Sequence, residues 1–182
     1  EPDAPLLWPN YLGAVLLPFY DDMMLEYQNT PSRREEIEAL INKVDSFNKW
    51  CWTKNENSRL TQPYSGGNLT ARVWGTLALA AFTQNVALSF EVYDTLVNNL
   101  NIQYNSSEKY PAGIMSDGSF TMNNTSGAQW NWYAYGLNWL DEVIDYARIS
   151  KRTYWRLPAE KINILGFSIT NGAEWLHWND FI

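Results

Sequence analysis

Apolar residues in this chain recur at intervals of three and four, and that spacing is the strongest constraint on its fold. Over 34–51, Ile37, Leu40, Ile41, Val44, Phe47 and Cys51 share one helical face, with Arg34, Glu35, Glu36 and Lys43 off it. Pro31-Ser32, with Glu35 three positions after the serine, reads as an N-cap and capping box for that helix. The stretch 132–147 is stronger. Trp132, Tyr135, Gly136, Trp139, Leu140, Val143, Ile144 and Ala147 form one stripe, while Asp141, Glu142 and Asp145 lie off it. Four further segments, 10–27, 68–83, 86–100 and 159–177, read as helices, the last with Pro158 in its first turn. No stretch alternates with period two over a strand's length, so no sheet is predicted. Six helices in three antiparallel pairs predict an all-α chain of α/α-hairpins, in a single domain over 1–182. The connections 28–33, 53–67 and 102–126 are polar and rich in turn residues. The last exceeds the ~12–15 residues of an ordinary loop, which marks a functional loop or a small ordered excursion.

Composition removes several function classes. With 46% apolar residues, ten Trp and eleven Tyr in 182 residues, the chain can bury a core large enough to offset the entropy of ordering. Twenty acidic against 13 basic residues give a net charge of −7, which argues against nucleic acid as the main partner. No apolar run reaches the ~18–20 residues of a membrane span. The single cysteine, Cys51, excludes an internal disulfide and any cysteine-based metal cluster, and the single histidine, His177, excludes a His-rich zinc site. No metal or other cofactor is expected. The chain begins at Glu1 and carries four sequons, at Asn68, Asn105, Asn123 and Asn124. These features predict a secreted, extracellular glycoprotein, with Asn105, Asn123 and Asn124 as acceptors.

Two stretches carry residues suited to chemistry. Ser65-Gly66-Gly67-Asn68-Leu69-Thr70-Ala71-Arg72 runs from a glycine turn into a helix. Either Asn68 is simply an N-cap after a tight turn, or its amide sits beside a helix N-terminus that can hold a carboxylate. The second stretch is Asp117-Gly118-Ser119-Phe120, followed by Ser126-Gly127-Ala128-Gln129 and the aromatic run to Tyr135-Gly136. Tyr135 and the tryptophans either pack the strong helix, or Gln129, Trp130 and Tyr133 line a sugar-binding cleft. In a cleft, aromatic faces would cover sugar C–H faces and amides would read hydroxyls.

These stretches resemble the hyaluronate, chondroitin AC and xanthan lyases, polysaccharide lyase family 8. Ser65-Gly66-Gly67-Asn68-Leu69-Thr70 is similar to the family's asparagine-bearing turn. Asp117 to Phe120 and Ser126 to Gly136 are similar to its tyrosine segment. Leu157-Pro158-Ala159-Glu160-Lys161-Ile162 resembles a later helix start, and Leu6 to Gly13 more loosely matches a Trp-rich N-terminal helix. The likeness implies an (α/α) toroid and β-elimination on a uronate-containing polysaccharide. By the same likeness, Asn68 holds the uronate carboxylate, and Tyr135 takes the C5 proton and returns one to the departing O4. The family histidine falls on Ser126. The family's later arginine and glutamate fall beyond Ile182, and about three hairpins stand where a full toroid has five or six. An incomplete toroid, the middle-to-late part of a lyase, is therefore expected, with apolar helix faces left for a second copy or a complementary chain.

An acidic polysaccharide or glycan partner would meet a chain of net charge −7, so local cations must attract it. Arg59 and Arg72 beside the first motif, and Lys151, Arg152 and Arg156 after the strong helix, are the candidates, unless they are solvated helix-end charges. Asp21, Asp22 and Glu26, with Asp117, offer carboxylates for glycoside hydrolysis, but adjacent positions on a helix diverge. His177 between Trp175 and Trp178, and Cys51 between Trp50 and Trp52, read as packed residues. Two alternatives to a lyase stand: a secreted glycan-binding or defence protein that kept the cleft without the chemistry, or an inactive fragment of a longer lyase.

Overall fold

The structure, a computed structural model, describes residues 4–53, 66–103, 113–122, 129–130 and 136–173. It is mostly helical. In chain order the elements are α1 (Ala4–Leu16), α2 (Tyr20–Asn29), α3 (Arg34–Thr53), α4 (Gly66–Phe82) and α5 (Val86–Asn99). The strands β1 (Ile102–Gln103), β2 (Gly113–Met115), β3 (Phe120–Met122) and β4 (Gln129–Trp130) follow, then α6 (Leu137–Ser150) and α7 (Ala159–Ser168). A π-helical turn, Ile169–Ala173, continues α7. No described helix is long and apolar enough to cross a membrane.

Local chemistry sets the helix ends. The helix expected over 10–27 is two, because Pro18 stands in a 3-10 turn, Leu17–Phe19, between α1 and α2. Ser32 is not the cap of α3: it lies inside a second 3-10 turn, Pro31–Arg33, and Thr30 breaks the chain ahead of it. Glu35 and Glu36 fill the first turn of α3, where carboxylates complement the dipole. Asn85 caps α5, its Oδ1 accepting the Leu88 N–H at 3.0 Å. Pro158 caps α7 rather than joining its first turn.

The expectation of no sheet is corrected. Four short strands pair in the order β1-β2-β3-β4, parallel between β1 and β2 and antiparallel beyond. Three of them lie within 102–126, so the described part of that long connection, 102–103 and 113–122, is built into the sheet and its hairpin turn. Strands of two or three residues are too short for alternation to show.

The chain divides into two compact units. Unit 1 holds residues 1–64 and 71–94, and unit 2 holds 65–70 and 95–182, so the divisions fall inside α4 and α5. The core of unit 1 centres on Val44, Leu79 and Phe82, with Leu12, Leu16, Tyr20, Met23, Ile41 and Phe47 packed around them. Glycine lets α1 and α4 approach: a Cβ on Gly75 would stand 2.4 Å from the Asn10 backbone nitrogen, and one on Gly13 would stand 2.8 Å from the Ala78 Cβ. In unit 2, Ile114, Phe120, Trp139, Val143 and Leu165 are buried, and the Phe120 and Trp139 rings lie 5.1 Å apart. Lys161 of α7 is buried and donates its Nζ to the Asn101 Oδ1 at 2.7 Å, tying α7 to the residue before β1.

Candidate functional site

Most of the chemistry-bearing residues belong to unit 2. Its segment of α4 opens on Gly66, whose φ of 57° lies in the left-handed region that glycine enters readily. The helix therefore begins before Asn68, which is its third residue and not its cap. First-turn amides have no acceptor within a helix, so the N–H groups of Gly66, Gly67 and Asn68 stand at the positive end of the α4 dipole. Such an end accepts a carboxylate.

Two residues from Asn68, the buried Thr70 donates its hydroxyl to the Gly67 carbonyl at 3.1 Å. Thr70 also acts on Glu142 of α6. Burial pushes the Glu142 carboxyl above its ordinary range, the Thr70 hydroxyl opposes that shift, and the neighbouring Asp141 charge adds to it. Gln129 and Trp130 form β4, at the edge of the sheet, across from Met122 and Thr121. The α6 helix begins two residues after Tyr135. Tyr133, Tyr135, Ser126, Asn105, Asn123, Asn124, Arg59 and His177 lie outside the described residues.

Asp117-Gly118-Ser119 is a hairpin turn between β2 and β3. Asp117 Oδ1 accepts the Ser119 N–H at 3.0 Å and the Ser119 hydroxyl at 2.6 Å, and these bonds hold its carboxyl below the usual range. Gly118 has φ 83° and lies so close to the π-helical turn that a Cβ would stand 2.5 Å from the Asn171 carbonyl carbon.

Arg72, expected on substrate, is in the core of unit 1 with 1% of its surface exposed. Its Nη1 donates to the Cys51 carbonyl at 2.7 Å, in the last turn of α3. A cation there satisfies an orphan carbonyl and faces the negative end of the α3 dipole. Burial raises the Cys51 thiol to about 11, a shift the Arg72 charge opposes. Asp21 and Asp22 stand in the first turn of α2, both exposed. A cleft of about 530 Å³ in unit 1 includes Met23, Glu26, Arg33 and Leu40, and Arg33 in it pairs with Glu26 at 3.2 Å and Glu36 at 2.8 Å.

Two features escape a reading of the sequence. Glu142 reads from the sequence as lying off the apolar stripe, yet it lies three residues after Trp139 and four before Tyr146, both buried, and so on the stripe's edge. The second is a row of rings in unit 1: Trp8 and Phe47 have centroids 6.2 Å apart, as do Phe47 and Trp50. Trp8 and Trp50 remain 50% and 45% exposed. Among the described residues, no three His, Cys, Asp or Glu side chains are grouped to hold a metal ion. Compared with known proteins, the chain matches no family model, no curated protein and no solved structure.

Proposed function

We propose that this chain is a secreted, polysaccharide lyase-like protein, part of an (α/α) toroid, that cleaves a uronate-containing polysaccharide of the hyaluronan, chondroitin or xanthan type by β-elimination. The supporting observation is the start of α4, where a left-handed glycine leads into a first turn that contains Asn68. First-turn amides and a positive dipole end suit a uronate carboxylate. Neutralising that carboxylate acidifies the C5 proton. Tyr135, as phenolate, takes the proton; the C4–O4 bond breaks as the C4–C5 double bond forms, and a proton returns to O4.

The test follows ultraviolet absorbance of the unsaturated uronate with hyaluronan, chondroitin, xanthan and glucuronan. Growth of the signal is expected. Tyr135→Phe should lower the rate by about 10²–10⁴-fold, as for loss of a general acid–base. Asn68→Ala should lower it by about 10²–10³-fold, as for loss of a stabilising donor. A flat trace on all four polymers would remove the lyase reading.

The row of Trp8, Phe47 and Trp50 favours a second reading, glycan binding without chemistry. Partly exposed rings offer faces on which sugars stack. A flat trace together with measurable glycan binding, lost on Trp8→Ala and Trp50→Ala, would select it.

A further inference from the structure

After α6 ends at Ser150, the next six residues are Lys151-Arg152-Thr153-Tyr154-Trp155-Arg156. They hold three cations and two aromatic rings and no carboxylate. In a chain with only 13 cations and a net charge of −7, that is a concentrated exception.

The turn is firmly built. The Thr153 N–H and hydroxyl both donate to the Ser150 carbonyl at 2.8 Å, and the same hydroxyl accepts the Trp155 N–H at 3.1 Å. The buried Tyr146 donates its hydroxyl to the Trp155 carbonyl at 2.9 Å. On this frame Lys151, Arg152 and Arg156 are exposed, and Tyr154 is 75% exposed, edge-on to the half-buried Trp155 at 5.6 Å. Arg148, one turn earlier, pairs with Asp145 at 3.1 Å, whereas Lys151 and Arg152 form no ion pair among the described residues. The dipole of α6 accounts for cations at its C-terminus. It does not account for a large ring held out in solvent by a hydrogen-bonded turn.

We infer that this turn binds an acidic polysaccharide, with Lys151 and Arg152 meeting its carboxylates or sulfates and Tyr154 covering the apolar face of a sugar ring. The inference rests on the proposed function and adds an anchoring site separate from the residues that would carry the chemistry. A sugar polymer fits better than nucleic acid. Duplex DNA carries one charge per about 1.7 Å of axis, and a chain of net charge −7 repels so dense a polyanion. A polyuronate is more sparsely charged and offers the ring faces that a tyrosine can use.

Affinity electrophoresis of the intact protein tests this, in native gels containing hyaluronan, chondroitin sulfate, xanthan, polygalacturonate or neutral dextran. Retardation is expected in the acidic gels and not in dextran, and it should weaken with added salt. The double variant Lys151→Glu/Arg152→Glu should bind about tenfold more weakly or worse, as expected when charges at a contact are reversed. The exposed-ring variant Tyr154→Ala should bind several-fold more weakly with its circular dichroism unchanged. Undiminished retardation in these variants, no retardation of the parent protein, or tighter binding to duplex DNA or anionic lipid vesicles would each overturn the inference. Turn-dependent binding without uronate absorbance would leave the inference standing and remove the lyase reading. Absorbance with KM unchanged in both variants would do the reverse.

Discussion

Asn48 of α3 is completely buried and donates its Nδ2 to the Thr76 carbonyl at 3.0 Å. Its own Oδ1 and the buried Thr76 hydroxyl find no hydrogen-bond partner among the described residues. An orphaned hydroxyl adds desolvation without return. Thr76→Val should therefore leave stability unchanged or raise it by about 1 kcal/mol, whereas Asn48→Ala should cost about 1–3 kcal/mol through the lost bond and the space it leaves. Urea melts of the two variants check this pair. Glu142 makes a different prediction. Its carboxyl is raised chiefly by burial, so the folded chain keeps that proton to higher pH than the unfolded chain does. The stability tied to that proton is complete at acid pH, below the unfolded value, and is lost as pH rises through the folded value. Glu142→Gln removes the dependence. Its Tm should exceed the parent's at neutral pH and converge with it in acid, and a lower Tm at neutral pH would contradict the role given to burial.

Gly118 joins two elements. A side chain there would be strained by φ 83° and would also meet the Asn171 backbone, so Gly118→Ala should cost about 2–6 kcal/mol, the sum of a backbone and an overpacking penalty. Hydrogen exchange should show the loss first at the β2 and β3 amides. The helices α3 to α7 are legible in the sequence because apolar spacing carries over many residues. Their ends are less so, since Ser32 and Glu35 satisfy a capping pattern that the 3-10 turn at Pro31 pre-empts. The stripe of α3 is also turned from its expected face: Leu40 is exposed, while Asn48 and Trp52 are buried. The glycine turn ahead of Asn68 is legible because a left-handed backbone needs a particular residue. The place of Arg72 is not, because the carbonyl it serves belongs to another helix's last turn, which only tertiary packing brings near.

At the scale of the molecule, α4 and α5 each pass from one compact unit to the other. Each unit nevertheless has a buried centre of its own, around Val44, Leu79 and Phe82 in unit 1 and around Phe120, Trp139 and Val143 in unit 2. Unit 1 also encloses the chain's only thiol, 1% exposed and raised to about 11. At neutral pH such a group is thiolate in about one molecule in 10⁴, so an alkylating reagent has almost nothing to attack while the fold is closed. Arg72→Met, which removes the bond at the end of α3, should speed labelling several-fold, read by intact mass over time. The protein thus contains its own stopwatch: alkylation of Cys51 advances only while the burial around that thiol is broken.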